Sequence, residues 1–202
     1  MKENFVHLQR LFLKTRNRMD IINIIAMVSN VIGVYLAARN NRYTWVLNFI
    51  ASAALAAMFF FDHLYMSFSF NAYCGIMSII GVMTWKKRAK QNDDTIVMGR
   101  SPIPHVAFFL LAILIITFNT EISNHPYVDS ICTALSIVAT YLLVKKDAWT
   151  WFYWIAGDII YIFLGVNTSD WKYYCVYGTV MLLDFYGAYR YMKLLRQKTA
   201  TP

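Results

Sequence analysis

Seven stretches of apolar residues, most close to twenty long, recur along the chain at approximately 21–39, 45–63, 66–85, 105–119, 127–144, 149–166 and 171–190. At 1.5 Å per helical residue, twenty residues cover a hydrocarbon core of roughly 30 Å. Lipid offers the peptide group no hydrogen-bond partner, so segments of this length have to pair their backbone internally, as helices. A β-barrel would need alternation of apolar and polar residues, which is absent. The balance of residues agrees: 58% are hydrophobic and 15% charged, where a soluble domain has about 45–50% and about 25%. The expectation is an all-α polytopic membrane protein with seven transmembrane helices.

The formal charge of +8 would suit nucleic acid if it formed one patch, but the basic residues lie between the apolar runs. Arg39, Arg42, the basic residues of 86–104, Lys145, Lys146 and the tail from Arg190 fall on one side. Apart from the N-terminal segment, the other side has Lys172 alone, at the start of the seventh run. By the positive-inside rule the first side is cytoplasmic, which places the N-terminus outside and the C-terminus inside. The basic tail then lies near anionic lipid. Five further basic residues within 1–20 sit against this orientation. Phe5, Leu8, Leu11 and Phe12 share a helical face there, which predicts a short amphipathic helix on the membrane surface. No apolar core of a secretory signal precedes Asp20.

Residues 30–88 overlay residues 136–194 at a constant offset of 106 without a gap. Tyr35-Leu36 falls on Tyr141-Leu142, Thr44-Trp45 on Thr150-Trp151 and Gly81 on Gly187. Helices 1–3 therefore repeat as helices 5–7, and one linking helix makes the repeats parallel, a 3+1+3 plan. The predicted divisions are 1–20 as the amphipathic segment, 21–88 as the first repeat, 89–126 as the cytoplasmic loop and linking helix, 127–194 as the second repeat and 195–202 as the tail. Transporters built from parallel repeats hold substrate near the bilayer midplane between them.

A charge at mid-bilayer costs about 2.5–3.5 kcal/mol on insertion scales, so the few present matter singly. Asp158 and Asp184 both fall near the middle of their runs, with no Lys or Arg at their depth. Trp151, Trp154, Asp158 and Tyr161 recur along one helical face, as do Tyr173, Tyr177 and Asp184 on the next run. Facing inward, the two would wall a cavity with aromatic rings and carboxylates. Ring faces attract cations, and carboxylates supply countercharge and accept hydrogen bonds, so the cavity suits a flat cation. In the first repeat Trp154 falls on Asn48 and Asp158 on Ser52, leaving Asn30, Asn48, Ser52 and Asn71 as neutral polar residues. Asn48 and Asn71 are candidates for further hydrogen bonds to a ligand. Trp149, Trp171 and Tyr191 lie at run ends and read as interfacial anchors.

The stretch from Ser136 to Tyr161, with Lys145-Lys146-Asp147-Ala148-Trp149-Thr150-Trp151-Phe152-Tyr153-Trp154 at its centre, resembles the signature of the PnuC-type vitamin transporter family. The likeness extends over all seven helices. It implies a 3+1+3 fold, trimers in the inner membrane of a bacterium, and facilitated diffusion of nicotinamide riboside with trapping by cytoplasmic phosphorylation. Trp151 and Trp154 would stack on the substrate ring and Asp158 would read its polar edge. The family's W-x-x-W motif is followed four residues later by Asn, whereas this chain has Asp158. Related members carry thiamine, also a cation, which stays open as an alternative.

Three other classes compete. An unpaired buried carboxylate can carry a proton, which would suit a proton-coupled vitamin or nucleoside transporter, with Asp184 the residue to suspect. Two mid-membrane aspartates could serve an intramembrane protease, but its G-x-G-D sequence is absent, since Ile155-Ala156 precedes Gly157-Asp158. A sensor would be expected to carry a signalling domain, and only short loops are present. The longest, 86–104, reads as a connector, with Asp93-Asp94 solvated. No phosphate-binding glycine loop appears. Cys74, Cys132 and Cys175 are isolated and read as packing residues, so neither cofactor nor metal is expected.

Overall fold

The computed structural model describes residues 21, 24–61, 65–93, 95–119, 126–168 and 171–200. The amphipathic segment predicted at 1–20 lies outside the described residues. Seven helices are present among them: α1 (Ile24–Ala38), α2 (Thr44–Phe61), α3 (Tyr65–Lys90), α4 (Ile103–Asn119), α5 (Pro126–Val144), α6 (Trp149–Thr168) and α7 (Trp171–Ala200). Three stretches are long and apolar enough to cross a membrane: Thr44–Phe61, Ser67–Lys90 and Pro126–Val144. Ile24–Ala38, Ile103–Phe118 and Trp149–Leu164 are shorter apolar helices.

Two helices outrun their apolar stretch. α3 continues through Lys86-Lys87-Arg88 to Lys90, so the connector expected from 86 starts only after Lys90. α7 continues to Ala200, so most of the predicted tail is helical. Hydrophobicity ends where the headgroups begin, but helix propensity does not. Neither extension contains Gly or Pro, and long basic side chains reach to the interface from a helix that leaves the core.

The turns that end α1 and α5 are built alike. Asn40 adopts φ 56° and Lys146 φ 57°, left-handed conformations that stop a helix. Asn40 N–H donates to Ala37 O at 2.8 Å and Lys146 N–H to Leu143 O at 2.9 Å. The next residues, Asn41 and Asp147, each bond back five positions at 2.9 Å and then cap the following helix. Their side-chain oxygens accept from Tyr43 N–H at 3.0 Å and Trp149 N–H at 3.1 Å. The Thr44 hydroxyl donates to Gly33 O at 2.8 Å, and the Thr150 hydroxyl to Ala139 O at 2.7 Å. Every one of these pairs is separated by the offset of the sequence repeat.

Trp45 and Trp151 extend the correspondence into the core. Both are fully buried. Each ring lies on a glycine of the third helix of its half, where an added Cβ would come within 2.2 Å of Trp45 at Gly81 and 2.4 Å of Trp151 at Gly187. Trp45 then meets Trp85 edge-on at 5.5 Å, and Trp151 meets Tyr191 at 5.3 Å. Tyr191 is fully buried, which corrects its reading as an interfacial anchor. Because α7 continues for more than two turns beyond it, Tyr191 does not mark the helix end.

One buried cluster at the basic end joins the halves through Trp45, Trp85, Val144, Trp151 and Tyr191. A second packs α4, through Phe108 and Leu111, against Leu135 and Tyr153 of α5 and α6. The halves are also bonded directly. Tyr73 Oη donates to Ile137 O at 2.9 Å, Trp85 Nε1 to Val144 O at 3.1 Å and Arg88 Nη1 to Lys145 O at 3.0 Å. The outer faces carry many exposed large apolar side chains, among them Phe61, Phe163 and Leu182. In a membrane these meet lipid.

Candidate functional site

The predicted polar residues of α6 and α7 converge. Asp158 and Asp184 are both buried, Asp184 completely, and their carboxyls act directly on one another. Asp158 Oδ2 and both Asp184 carboxylate oxygens have no hydrogen-bond donor among the described residues. Neither aspartate forms an ion pair among the described residues. A buried acceptor without a donor costs about 1–3 kcal/mol, more for a charged group, and such groups persist where another function requires them. The arrangement is a closed-in pair of carboxyls that a ligand bringing donors or positive charge would satisfy.

The neighbours are aromatic or small. Tyr161 of α6 and Tyr177 of α7 stack at 4.4 Å with an interplanar angle of 15°. Cys132 of α5 lies 3.8 Å from Gly157 O, directly beside Asp158 in sequence, and interacts with Tyr161. Read from sequence as a packing residue, Cys132 is placed at the edge of the site. Only the spacing of α5 against α6, which no linear pattern encodes, brings it there.

Trp151 and Trp154 of α6 have different surroundings. They meet at 5.5 Å and 77°. Trp151 is enclosed by Gly187 and Tyr191, so the ring expected to stack on a ligand belongs to the frame. Its repeat partner Trp45, on the half without the buried carboxyl pair, is packed the same way. Trp154 is half-buried and one turn nearer Asp158, which leaves it the tryptophan able to offer a face.

In the first half, Asn71 is buried and its amide donates to Ser67 O of its own helix at 2.8 Å. Asn48 is half-buried on α2, Ser52 is buried and Asn30 is exposed. The position equivalent to Asp184 is Ser78, fully buried, with its hydroxyl donating to Cys74 O at 2.7 Å. A serine pair, Ser52 and Ser78, thus stands where the second half has its carboxylates. Sequence reasoning missed Ser78, although the offset of 106 points to it. The side chains of Tyr173, Trp171 and Cys175 lie outside the described residues. Among the described residues no cluster of His, Cys, Asp or Glu could hold a metal ion.

Outside the membrane, Arg88 at the end of α3 binds the loop that follows it. Its guanidinium donates to Asp93 at 2.9 Å and to Thr95 O at 3.2 Å. Hydrogen bonds from Thr95 and then Arg88 hold the Asp93 carboxyl well below the usual carboxylate range. The residue expected to be solvated therefore ties the connector to the helix end.

Comparison with known proteins places this fold. A family described as nicotinamide mononucleotide transporter matches residues 20–193. The nicotinamide riboside transporter PnuC of Haemophilus influenzae is 25% identical over 130 residues, which span 58% of this chain and 55% of that protein. The chain thus matches about half the length of that relative. A crystal structure of the vitamin B3 transporter PnuC is similar with a TM-score of 0.66, over 93% of this chain and 87% of that one. At 16% identity the last likeness is one of fold.

Proposed function

The chain belongs to the nicotinamide mononucleotide transporter family, a family of multi-pass membrane transporters and not of enzymes, and from that premise we propose that it takes up nicotinamide riboside. The relative from Haemophilus influenzae is named for that substrate. The observation that carries the reading is the pair Asp158 and Asp184, buried beside Trp154, with three carboxylate oxygens lacking a donor. Nicotinamide riboside supplies what such a site lacks: a cationic ring for the Trp154 face, and amide and hydroxyl donors for the carboxylates. Trp151 then positions Trp154, while Tyr161 and Tyr177 close one wall and Asn48 and Asn71 face the substrate from the other half.

The repeated turns and tryptophan–glycine contacts support a 3+1+3 plan in which the halves rock about a fixed site. Transport is facilitated diffusion, made one-way by cytoplasmic phosphorylation. The protein sits in a bacterial inner membrane with its basic end in the cytoplasm, N-terminus outside, and assembles as a homo-oligomer, in trimers.

A specific observation favours a second substrate. Asp158 stands at the motif's Asn position, and Asp184 adds a second carboxyl beside it. Thiamine, whose thiazolium is cationic and whose aminopyrimidine donates hydrogen bonds, would use both carboxylates. The deciding experiment is tryptophan quenching of the purified protein by each vitamin, repeated with Trp154→Ala. Saturable quenching by nicotinamide riboside, lost in the variant, is expected. A response to thiamine alone would transfer the assignment to the second substrate, and silence to both would remove it. Uptake into vesicles without a kinase should survive an uncoupler, and abolition would make the carrier proton-coupled instead.

A further inference from the structure

At the basic end of the second half, away from the aspartates, a cavity of about 260 Å³ is enclosed by the 97–101 loop, the first turn of α4, the last turn of α5 and the α5–α6 turn. The geometry points to a bound anionic phospholipid, its headgroup phosphate held in this cavity by Lys145 and an acyl chain lying along α4.

Charge is the first reason. Lys145 Nζ lies 4.4 Å over the Tyr141 ring and has no carboxylate within ion-pair distance among the described residues. Asp147 is in the same wall, but both its oxygens are engaged, Oδ1 by Trp149 N–H at 3.1 Å and Oδ2 by Gly99 N–H at 3.0 Å. Arg100, exposed on the loop, adds a second cation beside the mouth. Ser101 Oγ accepts from Ile103 N–H at 3.3 Å, which leaves its proton for a ligand oxygen. His105 Nδ1 is bonded to Tyr153 Oη at 2.7 Å, which turns Nε2 to other partners. Lys145 and Arg100 outnumber the one carboxylate, Asp147, whose oxygens already hold backbone N–H groups, and with the free hydroxyl donor this balance favours an anion.

Size and surroundings make that anion a lipid. The cavity falls below the roughly 300 Å³ at which pockets for whole small molecules begin, so it takes a headgroup and not a vitamin nucleotide. Trp149 and Tyr141 at its edge are residue types that settle at headgroup depth. Directly below, α4 presents Ile103, Val106, Phe109, Leu110 and Ile113 at helical spacing, all strongly exposed, with Ile103 71% exposed. Acyl chain fits this strip as phosphate fits the cavity above it, and basic pockets between membrane helices on the cytoplasmic side hold such headgroups. The occupant braces the loop against the α5–α6 turn, to which it is joined by Val97 N–H donating to Lys146 O at 3.1 Å and Ala148 N–H to Val97 O at 2.8 Å. None of this depends on the identity of the transported substrate.

The test is hydrogen exchange at the amides of 97–101 in nanodiscs of phosphatidylcholine, with and without phosphatidylglycerol. At a lipid level about ten times its dissociation constant, exchange should slow about tenfold. Lys145→Gln should abolish the slowing while Lys193→Gln, an exposed cation on α7, keeps it. Ile103→Ser, which leaves every cation in place, should also weaken it, and keeps the inference testable if the lysine variant folds poorly. Equal slowing without phosphatidylglycerol would overturn the proposal. So would equal slowing by glycerol 3-phosphate in phosphatidylcholine alone, which would mark a site for soluble phosphate. Loss in Lys193→Gln as large as in Lys145→Gln would reduce the effect to general charge attraction and overturn it too.

Discussion

Asn40 and Lys146 turn the chain at nearly the same φ, Thr44 and Thr150 bond the preceding helix with the same reach, and Trp45 and Trp151 rest on equivalent glycines. Between those shared fixtures the chemistry diverges. Ser52, Ser78, Asn48 and Asn71 in the first half stand where Asp158, Asp184, Trp154 and Tyr177 stand in the second. A membrane helix bears the cost of a buried carboxyl only where something compensates it, which is the ground for proposing the ligand site in the half that carries two of them. The other half keeps the same frame with side chains that satisfy themselves, Ser78 on Cys74 and Asn71 on Ser67. The frame is therefore separable from the site.

Paired substitutions at equivalent positions would break or sharpen that separation. The largest difference is expected between Asp158→Ala and Ser52→Ala. The first should weaken vitamin binding about 100-fold, the loss of a charge-assisted hydrogen bond, and the second by less than about twofold, read by tryptophan quenching. Equal losses would mean that Ser52 holds the ligand as firmly as Asp158 does. Gly81→Ala and Gly187→Ala should instead behave alike, each costing about 1–3 kcal/mol because the methyl group meets an indole that has no room to move. Thermal aggregation in detergent would measure both, and tolerance at one position alone would disprove a common frame. Thr44→Val and Thr150→Val should each cost about 1 kcal/mol in the same assay, the value of one buried hydrogen bond.

The smallest effect belongs to the connector, which has no counterpart in the repeat. A carboxyl whose folded value is depressed contributes stability above its unfolded value near 4, and the contribution is lost as pH falls below that. Asp93 is such a group. Hydrogen exchange at 95–97, corrected for intrinsic rates, should quicken at pH 3 relative to pH 6 in the parent chain, and Asp93→Asn should remove that dependence.

Sequence made the frame legible because identical residues recur at a fixed spacing, and Trp, Gly and Thr tolerate few replacements when they pack this closely. It placed Asp158 and Asp184 on inward faces by helical period alone. Their direct contact, like the stack of Tyr161 on Tyr177, depends on the rotation of α7 against α6, which periodicity leaves free. Depth was the weakest reading. Trp151 and Tyr191 look like ligand face and anchor when helices are assumed to stop at the last apolar residue, and like packing residues once α7 runs on to Ala200. The role of Cys132 was invisible for a different reason, since a lone small residue carries no pattern.

Trp85 belongs to the first half, yet its indole nitrogen is bonded to Val144 O at 3.1 Å and its ring carries Lys146 Nζ at 4.9 Å. Any movement that parts α3 from α5 at the basic end must break the bond and strip the ammonium from the ring in the same step. Separation of the two halves at the basic end is therefore tied to a single indole, Trp85.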